Sequence, residues 1–449
     1  MIKKPINENY CASVVELQNE ILLDNCDNVK HTNIQGNLVI VGIDAKVGDV
    51  GLFFPSETEL SKEYLSANNL YRRKDQNNDK EKAGYFETNG RIKCMRFRGH
   101  KSMGLFMPLS SLDFSGHSEK LTVGKEFDHL KDIMICQKYV IKRQYTRGAK
   151  SGKVYKKKVS KLIPNQFRFH IDTTKLGKNI KRVKPNTLIS ITNKIHGTSN
   201  ITSKILCKRK LSIVEKILKF CGVKINDKQY EKIVSSRKVI KNDEMNPNPN
   251  HFYDTDIWSI ASKTISESLQ NGMTYYSEIV GFLPSGAYIQ KDYDYGCDAN
   301  TFAVYIYRIT YTNNSGYVFE FSAKQLQDWC REYNLNPVQE LYYGYAKDLF
   351  DIPYGVDGVK TTDEDLLAWQ NNFLEKLSDK YLEKTCDVCK NDVPNEGVVV
   401  RLEQNYIEAY KLKSFAFLER ETKELNKGLE NIEDVQSEEE PKDETQPSS

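Results

Sequence analysis

A run of cations between Lys142 and Lys161 divides the chain into two stretches of different hydrophobic rhythm, and that change of rhythm constrains the fold more than any single motif. The run holds Lys142, Arg143, Arg147, Lys150, Lys153, Lys156, Lys157, Lys158 and Lys161. Before it, short apolar segments alternate with turn residues: NLVIVGI from Asn37 to Ile43, GDVGLFFP after it, and RIKCMRFRG from Arg91 to Gly99. Alternation bounded by Gly and Asp reads as β structure. A small OB-type barrel, with Arg, Lys and Phe interleaved on its strands, fits this better than a helical bundle. One helix is expected inside it, over SETELSKEYLSANNLYR, opening on a capping-box pattern at Ser56. After the cations, strands such as TLISITNKI and TFAVYIYRI are separated by helical segments such as IVEKILKF and AKQLQDWCREYNL. That succession is α+β rather than alternating βαβ.

At 449 residues the chain can bury more than one core. The expected division is an OB-like, nucleic-acid-binding unit over 1–155, an α+β unit of antiparallel sheets with flanking helices over 156–430, and a disordered acidic tail over 431–449. The net charge of +4 averages that tail, NIEDVQSEEEPKDETQPSS, with a more basic body. The basic run can neutralise phosphates by releasing counterions, or serve as a solvated linker. No apolar run approaches the roughly 20 residues of a spanning helix, and the N-terminus lacks a secretory apolar core. A cytoplasmic protein is expected, in the host cytoplasm if the source is a virus, with no membrane partner and as a monomer. Ten scattered cysteines argue for reduced thiols. Only Cys386 and Cys389 are close enough to suggest a motif. Structural zinc needs four ligands, and no second pair lies nearby, so a zinc-free turn is expected.

The chemistry concentrates in ITNKIHGTSN, residues 191–200. A β-branched strand runs into Lys194, with His196 and Gly197 behind it. A lysine at a strand end beside a glycine turn can point into a pocket while the backbone approaches a ligand closely. Downstream come SSRK at 235–238, YYSEIVG at 275–281, FAVYIYRI at 302–309, NEGVVVRLE at 395–403 and AYKLKSF at 409–415. Neither a G-x-x-x-x-G-K-[ST] nor a G-x-G-x-x-G phosphate loop occurs, so ATP would have to be held by side chains.

These segments, in this order over about 220 residues, resemble the motif set of the covalent lysyl-nucleotidyltransferases, the superfamily of polynucleotide ligases and mRNA capping enzymes. Histidine in K-I-H-G, where DNA ligases and capping enzymes usually carry aspartate, resembles the RNA-ligase branch. The N-terminal RIKCMRFRGHKSMGLFMPL followed by these motifs resembles the Deinococcus-type RNA ligases. The resemblance implies a ligase adenylation domain and an ATP-dependent RNA ligase that joins 3′-hydroxyl and 5′-phosphate RNA ends at nicks in duplexes, with RNA on the 3′-hydroxyl side. It also implies roles for single residues. Lys194 would be the nucleophile toward the α-phosphorus of ATP, which requires a neutral amine, and nearby cations and a bound metal favour that form. Lys411 and Lys413, two apart on a strand, would face one way and bind phosphate. Glu396 would hold Mg2+ or Mn2+, and Glu278 the metal or the ribose. Arg237 would contact AMP or the RNA 5′-phosphate. Tyr307 fits the aromatic that stacks on adenine better than Tyr305, which alternation places on the same face. His196 would contact the nucleotide or cap the turn. A DNA ligase would use the same lysine chemistry. A capping guanylyltransferase fits K-I-H-G poorly, and a non-catalytic nucleic-acid-binding protein with a relic transferase domain would be free to lose the lysines and glutamates that are all present.

Overall fold

The computed structural model describes residues 3–116, 120–141, 161–242, 253, 255–355 and 362–429. The basic run up to residue 160 and the acidic tail lie outside these residues.

The N-terminal residues form small antiparallel sheets around one doubly buried strand. Val50–Pro55 pairs with Ala12–Glu16 on one side and Gly104–Pro108 on the other, and Glu126–Phe127 extends the sheet. Successive side chains of a strand point to opposite faces. Leu52 and Phe54 therefore join a core with Val14, Tyr64 and Phe127, while Phe53 joins Val15, Leu17, Val39 and Val41 on the other face. The second core is closed by a three-stranded sheet of Ile21–Leu22, Val29–Ile34 and Asn37–Gly42. The pairings among the described residues run as open sheets.

Two local expectations change. The helix does not start at Ser56: it spans Lys62–Ala67, capped by Ser61, whose side chain accepts from the Tyr64 N–H at 3.1 Å. Tertiary pairing overrides the capping pattern, because Thr58–Leu60 is taken as a strand by Cys136–Lys138 and Glu57 turns with φ of 65° to bury its carboxylate against Arg91. RIKCMRFRG is not one strand either. Met95–Phe97 folds back on His100–Ser102 through Arg98 and Gly99, at φ of 49° and 89°. Two consecutive positive φ values are the signature of the tight turn whose twist suits a hairpin.

The rest of the chain builds two larger sheets. One runs, in spatial order, Thr174–Lys175, Ala409–Lys413, Gly397–Leu402, Leu188–Asn193 and Glu340–Tyr345. Its pairings are antiparallel except that of Thr174–Lys175 with Tyr410 and Lys411. The other runs Lys228–Ser235, Thr198–Lys208, Met273–Gly281, Phe302–Thr312 and Val318–Glu320, with Asn336–Pro337 added in parallel beside Phe302–Thr312. Each sheet is backed by helices. Ile189, Ile191, Val398, Val400 and Leu412 pack on Trp369, Phe373 and Leu377 of the helix Asp363–Tyr381. Tyr275, Ile279, Ile306 and Ile309 pack on Trp258 and Ala261 of Ile257–Ile265 and on Leu326 of Ala323–Glu332. With every second residue committed to the backing helices, the residues between them are left to face a cleft between the sheets.

Candidate active site

The alternation can be followed residue by residue into that cleft. From the first sheet, Ser190, Thr192, Val399, Arg401, Ala409 and Lys411 line it, each flanked by a core residue. From the second sheet come Ser199, Glu278 and Tyr307. Lys194, one residue past the strand Leu188–Asn193, lines the cleft and reaches out of it: its Nζ lies 2.8 Å from Glu396 Oε1. Lys413 Nζ lies 3.2 Å from the same oxygen and 3.6 Å from Glu421. His196 Nδ1 is 3.9 Å from the other Glu396 oxygen. Glu396 itself is only 3% exposed, so two ammonium groups converge on one buried carboxylate.

The loop that carries Lys194 is held at successive residues. The Lys194 N–H donates to Gly397 O at 2.9 Å, the His196 N–H to the Tyr295 hydroxyl at 2.7 Å, and Gln290 Nε2 to Gly197 O at 2.7 Å. Gly197 is required by close approach, since a Cβ there would sit 2.2 Å from Ile279 O. Gly397 is required twice over, with φ of 141° and a Cβ that would meet Leu412 O at 2.0 Å. The His196 ring is gripped edge-to-face by Tyr293 and Phe417, each at 4.9 Å. Burial, with Lys413 and Lys194 adding to it and Glu396 opposing, pushes the imidazole down to about 4, so it is neutral at pH 7.

The residues singled out from sequence thus fall into two groups that meet at Lys194. Lys194, Arg237, Glu278, Tyr307 and Lys411 line the cleft. His196, Glu396 and Lys413 cluster around the Lys194 ammonium. Gly197 lets the chain leaving Lys194 pass close against Ile279 of the neighbouring strand Met273–Gly281. Of the two glutamates proposed for metal, Glu396 holds the lysines, and Glu278 lines the cleft from the other sheet, in register with Ser199 and Tyr305. Among the described residues, no group of three or more His, Cys, Asp or Glu side chains is placed to hold a metal ion. Mg2+ and Mn2+ ask for less, since hard octahedral ions keep several waters and take one or two carboxylates plus substrate phosphates. Glu396 supplies one such carboxylate, and a neutral Lys194 would remove one of the two ammonium charges that oppose a cation there. Of the two tyrosines, Tyr307 lines the cleft, while Tyr305 packs with Tyr295, Cys386 and Cys389. That cysteine pair brackets a turn in a loop closed by a bridge between Thr385 and Pro394.

Several neighbours of the site carry no sequence signal of their own. Asp172 pairs with Arg237, Nε to Oδ1 at 3.0 Å, from a segment without regular structure. Burial favours the protonated acid, but Arg237 outweighs it and holds Asp172 below the usual carboxylate range. His170 Nδ1 lies 3.3 Å from the Tyr307 hydroxyl. Lys175, in register beside Lys411, is pushed down to about 7 by burial and by repulsion from Lys411, Lys178 and Lys413. Crowded ammonium groups of this kind are stabilised by a polyanion.

No protein-family model and no curated protein matches the chain. Solved structures do. A mutant of the Naegleria gruberi RNA ligase with ATP and Mn aligns with a TM-score of 0.54 at 14% identity, over 91% of this chain and 98% of that one. The same ligase with PPi gives 0.53 at 15% identity, over 92% and 98%. A second mutant with ATP and Mn gives 0.51 at 13%, over 92% and 99%. Over more than nine-tenths of its length, then, the chain has the fold of an RNA ligase.

Proposed function

We propose that this protein is an ATP-dependent RNA ligase that works through a lysyl-AMP on Lys194 and seals 3′-hydroxyl and 5′-phosphate RNA ends at nicks in duplexes. The observation that carries the reading is the position of Lys194, at the lip of a two-sheet cleft and 2.8 Å from a buried carboxylate that a second lysine shares. The similar fold of a ligase solved with ATP and Mn, and with PPi, supports it.

In the first step Lys194 Nζ, having released a proton to water in the cleft, attacks the α-phosphorus of ATP. A P–N bond forms and the bond to the bridging oxygen breaks, releasing pyrophosphate. Loss of that proton is tolerable because Lys413 remains on Glu396 to balance its charge. Lys411 faces the cleft and would meet the charge developing on the α-phosphate, the form of stabilisation that contributes most in a dry site. Tyr307 offers a wall for adenine, and Glu278 an acceptor for the ribose. Arg237, held by Asp172, would take the 5′-phosphate. AMP then passes to that phosphate, and the RNA 3′-hydroxyl displaces it. A divalent ion, Mg2+ or Mn2+, would be held by Glu396 and would supply charge neutralisation on the phosphates.

Incubation with α-labelled ATP and a divalent metal tests the covalent step: the intact chain should carry label after denaturation and Lys194→Ala none. Label on both would move the nucleophile, and a folded protein that never labels would favour the relic-domain reading. Joining of nicks with RNA or DNA at the 3′-hydroxyl side separates an RNA ligase from a DNA ligase. In the same reading, residues 1–155 are an OB-like unit that grips the duplex, ahead of an adenylation domain over 156–430. The exposed hairpin around Arg98 is then a phosphate contact. Arg98→Glu should lower the slope of log affinity against log salt by about one and leave Lys194 labelling unchanged. An unaltered slope would remove the hairpin from the interface.

A further inference from the structure

The helix Ile213–Phe220 connects Thr198–Lys208 to Lys228–Ser235, and none of its residues is buried. At roughly 100° per residue, Ile213, Val214, Ile217, Leu218, Phe220 and the following Cys221 fall on one side. Glu215, Lys216 and Lys219 fall on the other. Ile213 is 76% exposed and Phe220 92%, and exposed Val223 continues the apolar surface. This is no frayed end: Ser212 and Glu215 close a full capping box at its start.

Charge surrounds the apolar side. Between residues 208 and 228 stand Lys208, Arg209, Lys210, Lys216, Lys219, Lys224 and Lys228 against only Glu215 and Asp227. Arg209 is paired with Glu215 at 3.2 Å and Lys219 with Asp227 at 2.7 Å. Lys208, Lys210, Lys216, Lys224 and Lys228 remain as exposed cations.

We propose that this helix docks the protein onto an anionic lipid bilayer, its apolar side entering the boundary between headgroups and acyl chains while the lysines meet lipid phosphates. Eight residues make about 12 Å of helix, far short of the roughly 30 Å hydrocarbon core, so it lies on the membrane rather than across it. An RNA backbone would engage the lysines but leave the apolar side in water. A second copy would bring two sets of exposed lysines together, like charge against like charge. The inference is independent of the ligase reading.

Flotation of the full chain with vesicles of phosphatidylcholine alone, or mixed with phosphatidylserine, tests it. The chain should float with the mixed vesicles only. Paired Ile217→Ser and Phe220→Ser should weaken that binding by more than about tenfold, and Lys216→Glu by about fivefold, with thermal midpoints unchanged because these side chains are exposed. A fluorophore on Cys221, exposed at the helix end, should shift to the blue on mixed vesicles as it enters an apolar layer. Absence of flotation, or flotation that ignores the serine substitutions, overturns the proposal. A dimer that those substitutions dissolve, without vesicle binding, would assign the surface to a second copy.

Discussion

Glu57 and Glu396 are both buried carboxylates facing cations, yet their partners differ in kind. Glu57 receives Arg91 through two bonds, Nε to Oε2 at 2.6 Å and NH2 to Oε1 at 2.8 Å, and the Thr422 hydroxyl at 2.7 Å. Arg91 reaches on to Asn426 at 3.0 Å, so the pair ties the N-terminal sheets to the helix Phe415–Asn426. A guanidinium fork is planar and always charged, which fixes geometry. Even so, burial outweighs Arg91 and keeps the Glu57 carboxyl above the usual range, the mark of a pair whose desolvation is costly. Glu396 instead holds two ammonium groups on one oxygen. Ammonium groups are point charges on flexible stems, free to turn from one anion to another. The first arrangement suits an anchor and the second suits an exchange of partners.

Breaking each pair should separate these roles. Arg91→Met strands the Glu57 carboxylate and should cost about 3–5 kcal/mol of stability, read from denaturant midpoints, while Lys194 labelling per folded molecule holds. An unmoved midpoint would show that the anchor carries nothing. Glu396→Gln should have the opposite profile: a labelling rate lower by about 10²–10³-fold in a protein that folds normally. If it melts early and labels at full rate, Glu396 is a structural residue like Glu57. The smallest effect concerns His196. Its folded value is about 4, while an unfolded imidazole titrates near 6.5. Between those values the unfolded chain binds the extra proton, so stability is lost as pH falls through 6.5 toward 4. From pH 7 to pH 5 this amounts to about 2 kcal/mol. His196→Gln should remove that share of the acid sensitivity, and an identical pH profile in the variant would assign it to other groups.

Elements are legible in the sequence where local pattern and tertiary demand coincide. NLVIVGI forms the strand Asn37–Gly42, and IVEKILKF forms the helix Ile213–Phe220. Spacing alone placed Lys411 and Lys413 on one strand face, and in the fold both turn away from the core that Leu412 enters. The two part at Ser56, where a good capping pattern loses to a strand partner far along the chain. Asp172 has no local signal, since it stands 65 residues from Arg237 in a stretch without periodicity.

The sequence by itself determined which residues could do chemistry and the strands that carry them, because residue type and period-two alternation are local properties. It determined the amphipathic pattern of Ile213–Phe220 in the same way. Only the tertiary structure decided that Lys194 and Lys413 share one oxygen of Glu396, that Glu278 faces the cleft from the opposite sheet, and that the apolar side of that helix is covered by nothing among the described residues. Those facts depend on how two sheets built from distant segments are laid face to face, and burial, which sets both ion pairing and exposure, exists only once they are.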